Sequence, residues 1–222
     1  MMIKGSALKD KLLFKFLDAP FDSRQGITYH VGKITCPRQL ETKIEFQVYG
    51  LTFVALDHFM SWLGEGRLVA MIKVDDDEDV YCTDFDFRTR SFHITSLTQM
   101  EDCPIWNDEQ ISLAILKMDP GMLQFVKCQT QDMCLDVVKQ NGMLLQFVID
   151  QTEDVCLAAV TQAGWALKFV KNQTDLICEA AVRENALTLE LVQNQTRKIC
   201  MMALTQNKWT RCFLKCLSMI KM

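Results

Sequence analysis

A 22-residue repeat constrains the fold of this chain more than any other feature of its sequence. Four Gln-Thr pairs follow one another at this spacing, beginning at Gln129, Gln151, Gln173 and Gln195. Three apolar columns keep the same step: Cys134, Cys156, Cys178 and Cys200; Val126, Val148, Val170 and Val192; and Leu123, Leu145, Leu167 and Leu189. Such periodicity is typical of helical arrays in which each unit packs against its neighbours.

One unit, taken over residues 151–174, predicts two short helices. Thr152 caps the first helix, and Glu153 lies in the first turn, where the helix dipole favours negative charge. Apolar residues then follow at helical spacing until Gly164 ends the helix. Residues 165–171 form the second helix. Because helices this short are marginal in water, the units must be stabilised by stacking, and the Cys column suits a buried seam.

The same register predicts where the repeats begin and end. Asn107 stands 22 residues before Gln129, and a longer last helix is predicted over residues 209–221. We therefore expect an all-α solenoid of about five short helical hairpins over residues 107–222. End units of such arrays commonly depart from the pattern, because their outer faces meet solvent.

Residues 1–106 lack the 22-residue repeat, and their pattern of polar and apolar residues predicts a small α+β domain. Short alternating or apolar runs indicate strands, and one run with helical spacing over residues 55–63 indicates a helix. An acidic turn is expected over residues 75–79. The predicted strands lie at residues 11–17, 27–31, 43–49, 68–74, 81–83 and 88–97.

Composition and charge exclude several classes of function. The net charge is −4: residues 1–106 carry 16 acidic and 12 basic side chains, and the remaining residues carry equal numbers of each. Neither half therefore has the excess of basic side chains that a nucleic-acid-binding surface requires. No apolar run reaches the roughly 18 residues of a membrane span. Ten cysteines without an export signal indicate reduced thiols in a protein that is not secreted.

Residues 167–182, Leu-Lys-Phe-Val-Lys-Asn-Gln-Thr-Asp-Leu-Ile-Cys-Glu-Ala-Ala-Val, resemble a short helical repeat of unknown function from large nucleocytoplasmic DNA viruses and some intracellular bacteria. The resemblance extends over residues 107–218. The first half is similar to the domain that precedes ankyrin or other repeats in giant-virus proteins, on residues 14–16, 50–53, 62–72 and 87–90. The resemblance implies a viral protein with an interaction role, in the virion or the host cytoplasm, and it transfers no active site.

One acidic segment has the spacing of a calcium loop in part. Asp75, Asp77 and Asp79 alternate, and Asp86 stands where the last ligand would be. The template requires glycine at its sixth position, where this chain has Val80. A solvated turn between strands is the favoured interpretation.

No catalytic, cofactor or metal site is predicted from motifs. Asp57 and His58 could be combined with Cys82 or Ser91 into a base and a nucleophile, but any domain of this size offers such combinations. The phosphate-loop, nucleophile-elbow and zinc-protease motifs are absent from the sequence. Cys212 and Cys216 share a helical face without the second ligand pair that a zinc site needs.

Function is therefore expected at the repeat positions that vary between units. These positions include Gln131, Glu153, Asp175 and Arg197 at the starts of the first helices, with Lys139 and Arg183 near their ends. Met201 and Met202 either pack on the last helix or form a partner surface. The leading hypothesis is a non-enzymatic scaffold that binds a viral or host protein. The alternatives are a structural virion or assembly protein that self-associates, for example as a homodimer, and an enzyme with a site in residues 1–106.

Overall fold

The computed structural model describes residues 1–17, 21–22, 27–36, 51–56, 58 and 68–215. The chain divides into two units, Met1–Pro104 and Ile105–Met222. This division falls shortly before the predicted boundary at residue 106. The reason is that Ile105 and Trp106 are buried, and the Trp106 ring stacks on Phe125 of the second unit at 5.4 Å between centroids.

The first unit is rich in antiparallel sheet. The strands in the described ranges are β1 (Met2–Lys4), β2 (Leu13–Leu17), β3 (Phe21–Asp22), β4 (Ile27–Thr28), β5 (Gly32–Thr35), β6 (Leu51–Ala55), β7 (Leu68–Lys73), β8 (Asp79–Cys82), β9 (Phe87–Thr89) and β10 (Ser91–Gln99). Eight of them pair in the order β1-β8-β9-β6-β2-β7-β10-β5, and every neighbouring pair is antiparallel. Strands β3 and β4 pair with each other.

Aromatic side chains fill much of the core of this sheet. Phe14, Phe53 and Phe92 are almost fully buried, and the Phe53 ring meets Phe92 edge-on at 6.0 Å between centroids. Lys15 interrupts the apolar strand β2 and is itself buried. Its Nζ donates to the carbonyl oxygen of Thr52 at 2.9 Å, which supplies the hydrogen bonding that a buried ammonium group requires.

Several sequence predictions for the first unit are confirmed. The strands expected at residues 11–17, 27–31, 68–74 and 81–83 correspond to β2, β4, β7 and β8. The strand expected at residues 43–49 lies outside the described residues, as does the helix expected at residues 55–63 apart from Ala55, Leu56 and His58. Ala55, where a helix was expected to begin, belongs to β6 and pairs with Leu13.

The single strand predicted over residues 88–97 is wrong. The chain bends at Arg90, so that β9 pairs with β6 and β8 while β10 pairs with β5 and β7. The carboxylate of Glu78 holds this bend, because it accepts hydrogen bonds from the Thr89 hydroxyl at 2.9 Å and from the Ser91 hydroxyl at 2.8 Å. Because the bend is fixed by a side chain outside residues 88–97, the alternation of polar and apolar residues within that segment could not predict it.

The second unit contains five α-helices of ten residues in the part of the chain that the structure describes. They are α1 (Glu109–Met118), α2 (Gln131–Gln140), α3 (Glu153–Gln162), α4 (Asp175–Glu184) and α5 (Arg197–Gln206). The predicted threonine caps are confirmed: the Thr152 hydroxyl, for example, accepts a hydrogen bond from the Val155 amide. Each helix contacts the next, and the Cys, Val and Leu columns of the repeat are buried.

The second helix of each unit is a 3₁₀ helix. The 3₁₀ helices are Pro120–Gln124, Gly142–Phe147, Gly164–Phe169, Ala186–Leu191 and Lys208–Phe213. The longer last helix predicted over residues 209–221 is wrong in its described part, because the 3₁₀ helix ends at Phe213 and Leu214 is extended. Leu214 takes the same extended conformation as Val148, Val170 and Val192, which end the earlier 3₁₀ helices. None of the helices among the described residues has the length and apolar character needed to cross a membrane.

Glycine opens two of these 3₁₀ helices because the next unit approaches closely. A Cβ at Gly142 would lie 2.3 Å from the Ala159 carbonyl oxygen, and one at Gly164 would lie 2.8 Å from the Ala181 carbonyl oxygen. Ala186 takes this column in the following unit and is accommodated there.

We predict that Gly142→Ala destabilises the second unit by about 1–3 kcal/mol, because a backbone oxygen must move to admit the methyl group. Thermal unfolding followed by circular dichroism measures the change. Ala186→Gly, in the same column, is the control and should change stability by less than about 1 kcal/mol. Equal melting temperatures for Gly142→Ala and the unmodified chain would refute the close-packing argument.

Candidate functional site

A hydrogen-bonded glutamine at the start of each unit sets the geometry of the helical surface. The Gln151 side-chain amide donates to the Leu145 carbonyl at 3.4 Å and to the Phe169 carbonyl at 3.0 Å. Its Oε1 accepts from the Lys171 amide at 2.9 Å. Gln151 therefore joins the 3₁₀ helix before α3 to the one after it. We call this arrangement the glutamine staple.

The staple recurs with the same sequence offsets in all four Gln-Thr units. Gln129, Gln173 and Gln195 each donate to a carbonyl six residues earlier and to one 18 residues later, and each accepts from the amide 20 residues later. At the start of the array, Asn107 is one methylene shorter than glutamine. There the Lys127 amide, the counterpart of Lys171, bonds instead to the Trp106 carbonyl at 3.0 Å.

The cysteine column is part of the staple as well as of the core. The Cys156 thiol donates to Gln151 Oε1 at 3.8 Å, and Cys134, Cys178 and Cys200 repeat this contact at 3.6 to 3.9 Å. A thiol is a small apolar group with a weak donor. It can therefore fill the seam and still satisfy the second lone pair of the glutamine oxygen.

Burial makes the thiols of Cys134, Cys156 and Cys178 weaker acids than a free thiol. Desolvation raises the pKa of Cys134 and Cys156, and it raises that of Cys178 to about 11, with a smaller contribution from Asp175. Since the thiolate is the nucleophilic and metal-binding form, such cysteines are poorly suited to either role near neutral pH.

The predicted partner-binding residues of the repeats lie mainly on the surface. Gln131, Glu153, Asp175 and Arg197, which begin α2 to α5, are all exposed, as are Lys139 and Arg183. Glu153 also accepts a hydrogen bond from the Thr174 hydroxyl at 2.9 Å. Met201 is 45% exposed and Met202 is half-buried, whereas Met219 and Met222 lie outside the described residues. That any of these residues binds a partner remains a prediction.

Two surface features of the second unit were not predicted. Trp209 is 82% exposed, although it shares a column with Met143, Trp165 and Leu187. An open cleft of about 300 Å³ lies beside Ile149, which is 53% exposed. The sequence did contain a signal for an exposed apolar surface: large apolar residues recur at the second position of the 3₁₀ helices, outside the three buried columns.

The acidic segment of the first unit forms ion pairs with neighbouring strands. Asp75 contacts Lys33 Nζ at 2.8 Å and His93 Nε2 at 3.2 Å, and the Lys33 hydrogen bond is the main cause that lowers the Asp75 pKa. Asp79 pairs with Lys4 at 2.6 Å. The structure does not bring Asp75, Asp79 and Asp86 together, and no group of three potential ligands suited to a metal occurs among the residues that were described.

The hypothetical base and nucleophile of the first unit are not assembled by the described residues. Asp57 lies outside them, and the His58 ring stands edge-on to Phe85 at 6.1 Å. The Ser91 hydroxyl donates to Glu78, and burial raises the pKa of Cys82. Neither the thiol of Cys82 nor the hydroxyl of Ser91 is hydrogen-bonded to a histidine in the described part of the chain.

We predict that Gln173→Ala lowers stability by about 2–4 kcal/mol, because it leaves the Leu191 carbonyl and the Gln193 amide without their side-chain partner and removes one of the two donors to the Leu167 carbonyl. Denaturant unfolding measures the loss. Gln193→Ala, at an exposed side chain, is the matched control and should be nearly neutral. A neutral Gln173→Ala would mean that the staple does not contribute to stability.

A second prediction concerns alkaline pH. Because the folded-state pKa of Cys178, about 11, exceeds the ordinary value of 9.0, the unfolded chain releases this proton first. The stabilising effect is complete below about pH 9 and is lost as the pH rises towards 11. The melting temperature of Cys178→Ala should therefore fall less steeply from pH 9 to 11 than that of the unmodified chain. Cys212→Ala, at an exposed thiol, should leave the slope unchanged; parallel curves for Cys178→Ala would exclude the effect.

The chain was compared with family models, with curated proteins and with solved structures, and no match was found in any of the three.

Proposed function

We propose that the second unit is an α-solenoid that binds another protein through the exposed side chains of its helices, and that the chain acts as a non-enzymatic scaffold. The proposal extends the observed succession of α-helices and 3₁₀ helices to a continuous stack of repeats. Solenoids use extended surfaces for binding because each unit contacts only its neighbours and leaves an outer face free.

One observation carries this proposal: the framework positions of the repeat keep the same residue in all four Gln-Thr units, whereas the exposed helix starts change from unit to unit. The staple glutamines and the buried cysteines and valines are identical in four units, and the glutamines form the same hydrogen bonds in each. The first residue of the helix changes from Gln131 to Glu153, Asp175 and Arg197, although its backbone position is the same. A fixed framework with variable charge on its surface is suited to recognising a particular partner.

The resemblance to viral repeat proteins adds to the proposal. It favours a protein made by a large DNA virus, with a viral or host protein as partner in the virion or the host cytoplasm. The self-associating alternative rests on a separate surface feature of the second unit.

We predict that the double charge reversal Glu153→Arg and Arg183→Glu reduces recovery of a partner by about tenfold, since each reversal places like charges in the contact. The measurement is affinity purification of the tagged full chain from infected cells, with quantitative mass spectrometry. Lys9→Glu, an exposed reversal in the first unit, is the control.

Melting temperatures of both variants must match that of the unmodified chain, because Glu153 also bonds to Thr174. If every partner is recovered equally with the double variant and with the control, these helix positions are not the binding surface.

A further inference from the structure

The second unit separates its charges along the sequence. Residues 107–190 carry 12 acidic and six basic side chains, whereas residues 191–222 carry six basic side chains and no acidic one. The balanced total of the second half therefore conceals an acidic portion followed by a basic portion. Opposite charges gathered in different parts of one domain favour contact between unlike parts of two molecules.

The basic portion contains a largely exposed tryptophan. Trp209 is 82% exposed on the 3₁₀ helix Lys208–Phe213. With three residues per turn, Lys208 and Arg211 share the edge next to that of Trp209. Neither cation forms an ion pair with any residue of the described ranges. We call Lys208, Trp209 and Arg211 the tryptophan end.

The backbone of the tryptophan end is held firmly. The Asn207 side chain accepts from the Trp209 amide at 2.9 Å, and the buried Thr210 hydroxyl donates to the Asn207 carbonyl at 2.7 Å. Gln195, the last staple, donates to the Phe213 carbonyl at 2.9 Å. A rigid aromatic side chain loses little conformational freedom on binding, and tryptophan and arginine are the residues that most often dominate binding energy.

The acidic portion contains a cleft with complementary chemistry. The exposed Ile149 side chain lines an open space of about 300 Å³ together with the exposed residues Asp150 and Glu153. Lys171 also lines this space, with its Nζ donating to the Ile149 carbonyl at 2.7 Å, so that the lining carries two carboxylates against one ammonium group and is acidic on balance. Gln151 and Cys156, which also line the cleft, belong to a staple. We call this space the Ile149 cleft.

We propose that the tryptophan end of one molecule docks into the Ile149 cleft of a second copy of this chain. Trp209 would cover Ile149, and Lys208 and Arg211 would lie beside Asp150 and Glu153. The tryptophan end and the Ile149 cleft occur in the same chain, so two copies can supply both surfaces. The surfaces are opposite in charge, and each exposes an apolar side chain. The contact joins unlike surfaces, so repetition produces open chains or closed rings rather than a symmetric pair. The proposal does not depend on the scaffold function proposed above.

Light scattering of the purified full chain over a wide range of concentration tests the proposal. The average mass should rise with concentration, and it should fall as salt is raised from about 0.1 to 1 M, which shortens the screening length from about 10 to 3 Å. Trp209→Ala should weaken self-association by about 30-fold, the loss typical of a dominant contact residue. Trp165→Ala, a tryptophan of the same column, is the control and should retain it.

A charge exchange tests the identity of the two surfaces. Arg211→Glu and Asp150→Lys should each reduce self-association, and a mixture of the two variants should restore it, because the new glutamate then meets the new lysine. Thermal melting confirms that both variants are folded.

Three results would overturn the proposal. They are a chain that stays monomeric at every concentration, self-association that survives Trp209→Ala, and a mixture that does not restore it. A monomeric chain that loses a purified partner when Trp209 is replaced would instead assign the tryptophan end to an acidic segment of another protein.

Discussion

The glutamine staple is the interaction on which the second unit depends. A 3₁₀ helix of six residues satisfies few of its own backbone groups, and its terminal carbonyls need partners from elsewhere. Gln151 provides them on both sides of α3 by bonding to the Leu145 and Phe169 carbonyls. The apolar columns drive the helices together, and the staple fixes the distance and register at which they meet. Without it, burial of the columns would leave polar backbone atoms unpaired, which costs more than the burial of a single methyl group provides.

The sequence predicted most of the second unit because its determinants are local and repeated. Thr152 and its counterparts act as caps, and the cysteine, valine and leucine columns are buried, as periodicity alone indicated. The role of the glutamines was not predicted, because their partners lie 18 to 20 residues away and are backbone atoms. The cysteines were interpreted as packing residues only, since a hydrogen bond from sulfur to Gln151 has no sequence signature. Trp209 was missed for a related reason: the exposure of a side chain depends on what packs beside it, not on the residue itself.

The first unit was less predictable because its contacts are distant in sequence. Strand β1 (Met2–Lys4) pairs with β8 (Asp79–Cys82), and a three-residue strand with one half-buried position carries almost no periodic signal. The bend at Arg90 depends on Glu78, and the ion pair of Asp75 depends on Lys33 and His93. For the candidate site, the exposed helix starts could be identified as variable positions, whereas the Ile149 cleft exists only once neighbouring units have been placed.

The short reach of each staple has a consequence for how such a chain evolves. Every bond of Gln151 ends at an atom no more than 20 residues away, and the same holds for the other three glutamines. Deletion or tandem duplication of a block of 22 codons would therefore leave complete bonding sets on both sides of the junction. Gene-level slippage can lengthen or shorten the array without a compensating substitution, so relatives with different numbers of units are the natural products of this architecture.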